Sequence, residues 1–131
     1  MLTSTFLFAG RASFVIRNPK GEHVTVVARL RKAQDVYSIS VRHMNEAWAY
    51  VGAAKATDMV HGRILPTFKT QPVEARTLKI ASWGIRMLAG DQSVPTGYAL
   101  EHTGRCGKCG KMLRDPESLT LGLGPVCRGG R

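Results

Sequence analysis

Three cysteines, all within residues 102–131, restrict this chain more than any other feature. Cys106 and Cys109 form a Cys-x-x-Cys pair, and Cys127 follows after 17 intervening residues. An odd, clustered set cannot close into a disulfide framework, and the spacing is that of a metal site whose fourth ligand is not a cysteine. Two thiolates two residues apart reach one ion because the backbone turns tightly between them. Gly107 and Gly110 let amides approach the sulfurs with no Cβ in the way. His102, four residues before Cys106, is the nearest nitrogen donor. The expectation is a closed, structural Zn²⁺ site made of His102, Cys106, Cys109 and Cys127. If His102 points away, water takes the fourth position and the site is open, as in catalytic zinc.

Competing chemistries fit less well. A redox Cys-x-x-Cys usually opens a helix in a strand–helix unit. Here Lys111 to Pro116 follows, which reads as a short strand and a turn. An iron–sulfur cluster normally takes four cysteines. Zinc deaminases need a His-x-Glu with the glutamate as proton shuttle, whereas Glu101 directly precedes His102. The chain has no phosphate-binding Walker loop, serine elbow or His-Glu-x-x-His. His23, His43 and His61 are scattered single histidines, read as surface or hydrogen-bonded core residues.

Charge points to the partner. Of the 131 residues, 19 are Lys or Arg and 9 are Asp or Glu, a net charge of +10. Residues 1–101 hold 13 basic and 7 acidic side chains, and residues 102–131 hold 6 and 2, so the tail is the more basic per residue. Such a surface favours polyanions, nucleic acid first, then acidic proteins or membrane surfaces. No apolar run is long enough to span a bilayer. No basic residue precedes Phe6-Leu7-Phe8-Ala9, so that run is not read as a secretory signal. Free thiols at metal spacing then suit a reducing cytoplasm.

The preceding residues read as an antiparallel meander. Ser13 to Arg17 and His23 to Leu30 are strands around the turn Asn18-Pro19-Lys20-Gly21. In the second, Val24, Val26, Ala28 and Leu30 share a buried face, and Thr25, Val27, Arg29 and Arg31 share the other. Val36 to Arg42 and Ala47 to Val51 are the third and fourth strands, joined by a loop at Met44-Asn45-Glu46. Tyr37, Ile39 and Val41 share a face in one, Trp48 and Tyr50 in the other. Ala53 to Asp58 reads as a short helical turn, and Gly62 to Thr70, broken by Pro66, as a loop with an edge strand. The main helix is expected over Pro72 to Ala89. Pro72 suits its first position, Gly90 can end it, and Leu78, Ala81, Ile85 and Leu88 form the buried stripe, widened by Trp83 and Met87. Asp91 to Tyr98 is then a linker.

The tail has a specific wording: Cys106-Gly107-Lys108-Cys109-Gly110, Leu113, Asp115-Pro116-Glu117-Ser118, then Gly122-Leu123-Gly124-Pro125-Val126-Cys127. It resembles a family of small phage and bacterial proteins catalogued as a domain of unknown function, over about residues 102–128. The resemblance implies a zinc-binding module and a phage-encoded protein, and it implies no activity. In the segment itself, Asp115 can cap backbone amides. The glycines before Pro125 either bring Cys127 back to the metal or expose amides that bind a phosphate.

The expected class is therefore α+β: an antiparallel meander with one packed helix over residues 1–98, and a C-terminal zinc finger, knuckle- or ribbon-like, over 99–131. The two should form one compact unit. The expected function is non-catalytic, sequence-tolerant binding of DNA or RNA in the cytoplasm of a bacterial host. Phosphate contacts are expected from Arg105, Lys108, Lys111, Arg114 and Arg128 in the tail and from Arg29, Arg31 and Arg42 on the strands. Trp48 and Tyr98 are conceivable stacking groups. The alternative is an inhibitor or adaptor docking on a host defence or polymerase complex. A metal-dependent enzyme is the lesser alternative, since no base or nucleophile accompanies the metal.

Overall fold

Asn18 organises the first hairpin. Its side-chain oxygen accepts from the amides of Lys20 and Glu22, and Gly21 takes the positive φ of 83° that closes the turn. The flanking strands β1 (Arg11–Arg17) and β2 (His23–Arg31) pair antiparallel from Arg17↔His23 to Arg11↔Arg29. Strands β3 (Val36–His43) and β4 (Ala49–Ala54) continue the meander. These belong to a computed structural model describing residues 2–31 and 33–128, without the Arg128 side chain.

The alternation read from the sequence is realised. Ala12, Phe14, Ile16, Val24, Val26, Ala28, Tyr37, Ile39 and Val41 are buried on one face. On that face lies the main helix, labelled α3 because two single-turn helices precede it, α1 (Ser4–Leu7) and α2 (Ala56–Met59). Helix α3 (Ala75–Ala89) buries Thr77, Ala81, Gly84, Ile85, Met87 and Leu88, while Leu78 and Trp83 are half-buried at its margins. The helix approaches the sheet closely at Gly84, where a Cβ would stand 2.3 Å from Ile16 Cδ1. Any larger residue there would push the layers apart.

Four details differ from the sequence reading. Helix α3 starts at Ala75 rather than Pro72, because the preceding segment is held extended against β4: the Gln71 amide donates to the Tyr50 carbonyl at 2.8 Å. Strand β4 runs later than expected, with a register shift between Ile39 and Ser40; Trp48 lies outside it, exposed with Arg42 over its ring. Residues Ser4–Leu7, unassigned in the sequence, form α1 and sink Phe6 and Leu7 into the core, its first amide bonded to Asp91. Finally, strand β5 (Ala99–His102) pairs antiparallel with β1, giving a five-stranded sheet of order β4-β3-β2-β1-β5. The sheet thus continues through residues expected to open the tail module. Among the described residues, no helix lies on its second face.

Candidate metal centre and its basic surroundings

Beyond His102 the chain makes two short arms around the Cys-x-x-Cys loop. The Leu113 amide donates to the Gly104 carbonyl and the Cys106 amide to the Lys111 carbonyl, both at 2.8 Å, with an isolated bridge between Arg105 and Met112. The short strand expected after Cys109 is therefore a single bridge. Asp115 then caps helix α4 (Pro116–Leu121), accepting from the Ser118 amide at 3.0 Å and the Ser118 hydroxyl at 2.6 Å. Gly122, at φ 72°, ends α4 in the left-handed conformation, and the single turn α5 (Pro125–Arg128) returns Cys127 to the other two cysteines.

The Sγ atoms of Cys106, Cys109 and Cys127 all lie within 4.8 Å of one another, and the three are free thiols. Cys106 is the buried one, and the Lys108 and Gly124 amides each donate to its sulfur at 3.4 Å. Burial pushes the Cys106 thiol up, but the amides of Cys109, Gly124 and Lys108 outweigh it and bring it down to about 7. Cys127 moves the other way. Burial, reinforced by the hydrogen bonds and negative charge of the other two cysteines, pushes it up to about 11. Three thiolates this close repel one another unless a cation lies between them. The Gly124 amide is spent on sulfur, so these glycines shape the chain around the cluster rather than offering free amides to a phosphate.

His102, the expected fourth ligand, is engaged elsewhere. Its Nδ1 accepts from the Gly104 amide at 2.9 Å, and its Nε2 is bonded to the Leu119 carbonyl. These partners put the ring proton on Nε2 and engage both nitrogens. The imidazole ties β5 to α4 and is not among the atoms gathered at the cluster.

Phe6 joins the module to the core. A Cβ at Gly107 would lie 2.7 Å from its Cδ1, and one at Gly122 2.6 Å from the same atom. Only two glycines can clasp the fully buried ring this closely. Their backbones are also paired, Gly107 amide to Gly122 carbonyl at 2.8 Å.

The expected phosphate-contacting side chains fall into groups. Arg105, Lys108, Lys111 and Arg114 are exposed around the module, although Arg105 also donates to the Gly110 carbonyl. Arg29 and Arg31 are exposed on the helix-free face of the sheet. Arg42 is half-buried and bonded to the carbonyls of Glu46 and Asn45. The Arg128 side chain lies outside the described residues. Tyr98 packs on Trp83 with ring centres 5.1 Å apart and is only partly free to stack. Sequence reasoning missed Arg11: no motif marks it, and only the strand register sets it directly opposite Arg29.

Residues 100–131 match the model of a family described as a family of unknown function (DUF6011). No curated protein and no solved structure matches the chain. The family match covers β5 and the cysteine module, the same segment as the resemblance read from the sequence. No helix among the described residues is long and apolar enough to cross a membrane.

Proposed function

We propose that Cys106, Cys109 and Cys127 hold a zinc ion, and that the protein is phage-encoded and binds nucleic acid without catalysis in the host cytoplasm. The metal half rests on three sulfurs within 4.8 Å of one another with no disulfide among them. Tetrahedral zinc with Zn–S of about 2.3 Å sets sulfurs about 3.8 Å apart, so small side-chain adjustments close the site. An all-thiolate donor set favours zinc over magnesium, calcium or manganese. The arms, cap and two short helices around the cluster then form a small zinc-finger-like module. His102 is kept for the tie between β5 and α4, so water takes the fourth position of the proposed site.

The nucleic-acid half rests on one observation, the composition of the sheet's helix-free face. Cross-strand register gathers Arg11, Arg17, Arg29 and Arg31 there, all exposed, with small neutral residues such as Thr25, Ser38 and Ser40 between them. Among the described residues, Arg17 alone of these arginines has a carboxylate partner, Glu101 at 3.2 Å. An exposed surface of this sign suits the phosphate backbone, which supplies affinity with little sequence information. The second reading, an inhibitor or adaptor docking on a host protein complex, draws on the exposed Phe68, Met112 and Val126.

One preparation tests both halves. Purified protein should contain one zinc per chain. Labelled DNA or RNA should bind at low salt, with affinity falling as log salt rises by roughly 0.7–0.9 log units per phosphate contacted. Metal-free protein from a fresh preparation would defeat the first half. Failure to bind single- or double-stranded DNA or RNA at low salt and micromolar protein would defeat the second and promote the adaptor reading.

A further inference from the structure

Where the sheet meets the cysteine module, a groove of about 600 Å³ is lined by Gly10, Arg11, Arg29, Lys108, Cys109 and Cys127, among others. Three cations from three parts of the chain border it. Arg11 and Arg29 are directly opposed cross-strand partners, an arrangement that like charges disfavour. Lys108 enters from the Cys-x-x-Cys loop. Among the described residues no ion pair joins any of the three to a carboxylate, although Arg17, Arg63 and Arg76 all have one.

The backbone holds this cluster in place. The Arg11 amide donates to the Gly107 carbonyl at 2.6 Å, and Gly107 lies between Cys106 and Lys108. The Arg11 side chain runs along Gly110, where an added Cβ would sit 3.8 Å from its Cδ and Nη1. Arg11 is therefore anchored to the loop that carries two of the three sulfurs.

We infer that this groove is a phosphate-binding site for a nucleic-acid backbone, built from Arg11, Arg29 and Lys108, and that the metal completes it. The inference rests on the zinc and nucleic-acid readings above and adds the location and the coupling. A phosphodiester oxygen pair between Arg11 and Arg29 removes the repulsion between the guanidiniums, and both present forked donors suited to it. An ion gripped by Cys106 and Cys109 fixes the Gly107-Lys108 turn between them. Lys108 is then presented to the groove, and Arg11 keeps its backbone anchor.

The test titrates full-length, zinc-loaded protein with fluorescein-labelled 20-nucleotide single- and double-stranded DNA across a salt series. Relative to wild type, the triple variant Arg11→Ala, Arg29→Ala, Lys108→Ala should lose roughly 0.7–0.9 of log–log slope per cation removed. Lys79→Ala with Arg86→Ala, which removes two exposed cations from α3, should leave the slope unchanged. Arg11→Lys should hold it. Chelating the zinc from wild type should lower the slope and should change the triple variant less. Zinc content and melting temperature of every variant keep a damaged fold from passing as a lost contact. A wild-type slope in a folded triple variant overturns the site and leaves the broader nucleic-acid reading standing, as does an equal loss in the α3 control. Absence of binding by wild type overturns both. An unchanged slope after chelation removes the metal coupling.

Discussion

Residues 2–102 bury a continuous apolar layer between sheet and helix, whereas residues 103–128 bury little more than Cys106, Leu113 and Leu123. In the first region burial of Phe, Ile, Val and Leu side chains supplies the driving force, each worth about 1.5–3 kcal/mol, and no single contact carries the fold. The second region has too little apolar area for that. It is shaped by turn bonds, by the Asp115 cap, by the His102 tie and by sulfurs placed for a cation. Loss of one feature in the body should therefore be felt as a graded drop in stability. In the module, loss of a sulfur should be all or none.

The largest effect, and the one that would break this contrast, is loss of the metal. Cys109→Ser should release the ion and strip amide protection from residues 103–128, while the paired amides of β2 and β3 stay protected in hydrogen exchange. Structural zinc in finger peptides contributes on the order of 10–16 kcal/mol of apparent binding energy, more than this module's own contacts can replace. Equal loss of protection in both regions would show that the body depends on the module.

Phe6 sharpens the comparison because it belongs to both regions. Phe6→Ala should cost about 3–5 kcal/mol in chemical denaturation, since the ring is fully buried. It should also quicken zinc loss to a chelator, because Gly107 and Gly122 lose the surface they close on. Unchanged chelation kinetics would mean that the module needs no docking surface.

A smaller effect is expected at His102. His102→Ala removes two hydrogen bonds, worth about 1–3 kcal/mol together, and should lower the melting temperature while the zinc content stays at one per chain. If zinc were lost instead, the imidazole must swing away from Leu119 to complete the metal site, and the original four-ligand expectation would return.

The smallest effect lies in the body. His43 bridges Glu46 at 3.1 Å and Glu22 at 2.7 Å, and these hydrogen bonds hold its pKa above the ordinary 6.5. Glu22, bonded to His43 and paired with Arg76, is held below its ordinary 4.5. A raised histidine stabilises the fold fully below its unfolded value, and that contribution fades as pH rises through the folded value. A lowered carboxylate does so above its unfolded value and loses its contribution as pH falls through the folded one. The melting temperature of wild type over His43→Gln should therefore differ most between about pH 4.5 and 6.5 and least in the alkaline range. A difference independent of pH would show that packing, not charge, is what His43 contributes.

Local pattern alone determined the meander, the main helix and the triad of cysteines. Alternation in Val24-Thr25-Val26 or Tyr37-Ser38-Ile39 has one satisfying arrangement, a sheet with one face buried. Glycine at the end of α3 and the Cys-x-x-Cys spacing likewise act within a few residues. Asp115 reads as a cap because cap and amide are three residues apart. Tertiary structure decided the rest, where the partner is distant in sequence. Ala99–His102 is too short to show a period and becomes a strand only because β1 offers an open edge. Ser4–Leu7 gains its helical turn by burying Phe6 between two glycines more than a hundred residues away. His102 has the spacing of a ligand, but the Leu119 carbonyl and Gly104 amide hold its ring elsewhere. Arg11 and Arg29 face each other through strand register, and Lys108 joins them because the Gly107 carbonyl takes the Arg11 amide. Charge composition favours a polyanion partner; only the folding of three distant segments onto one groove gives the proposed partner a place to sit.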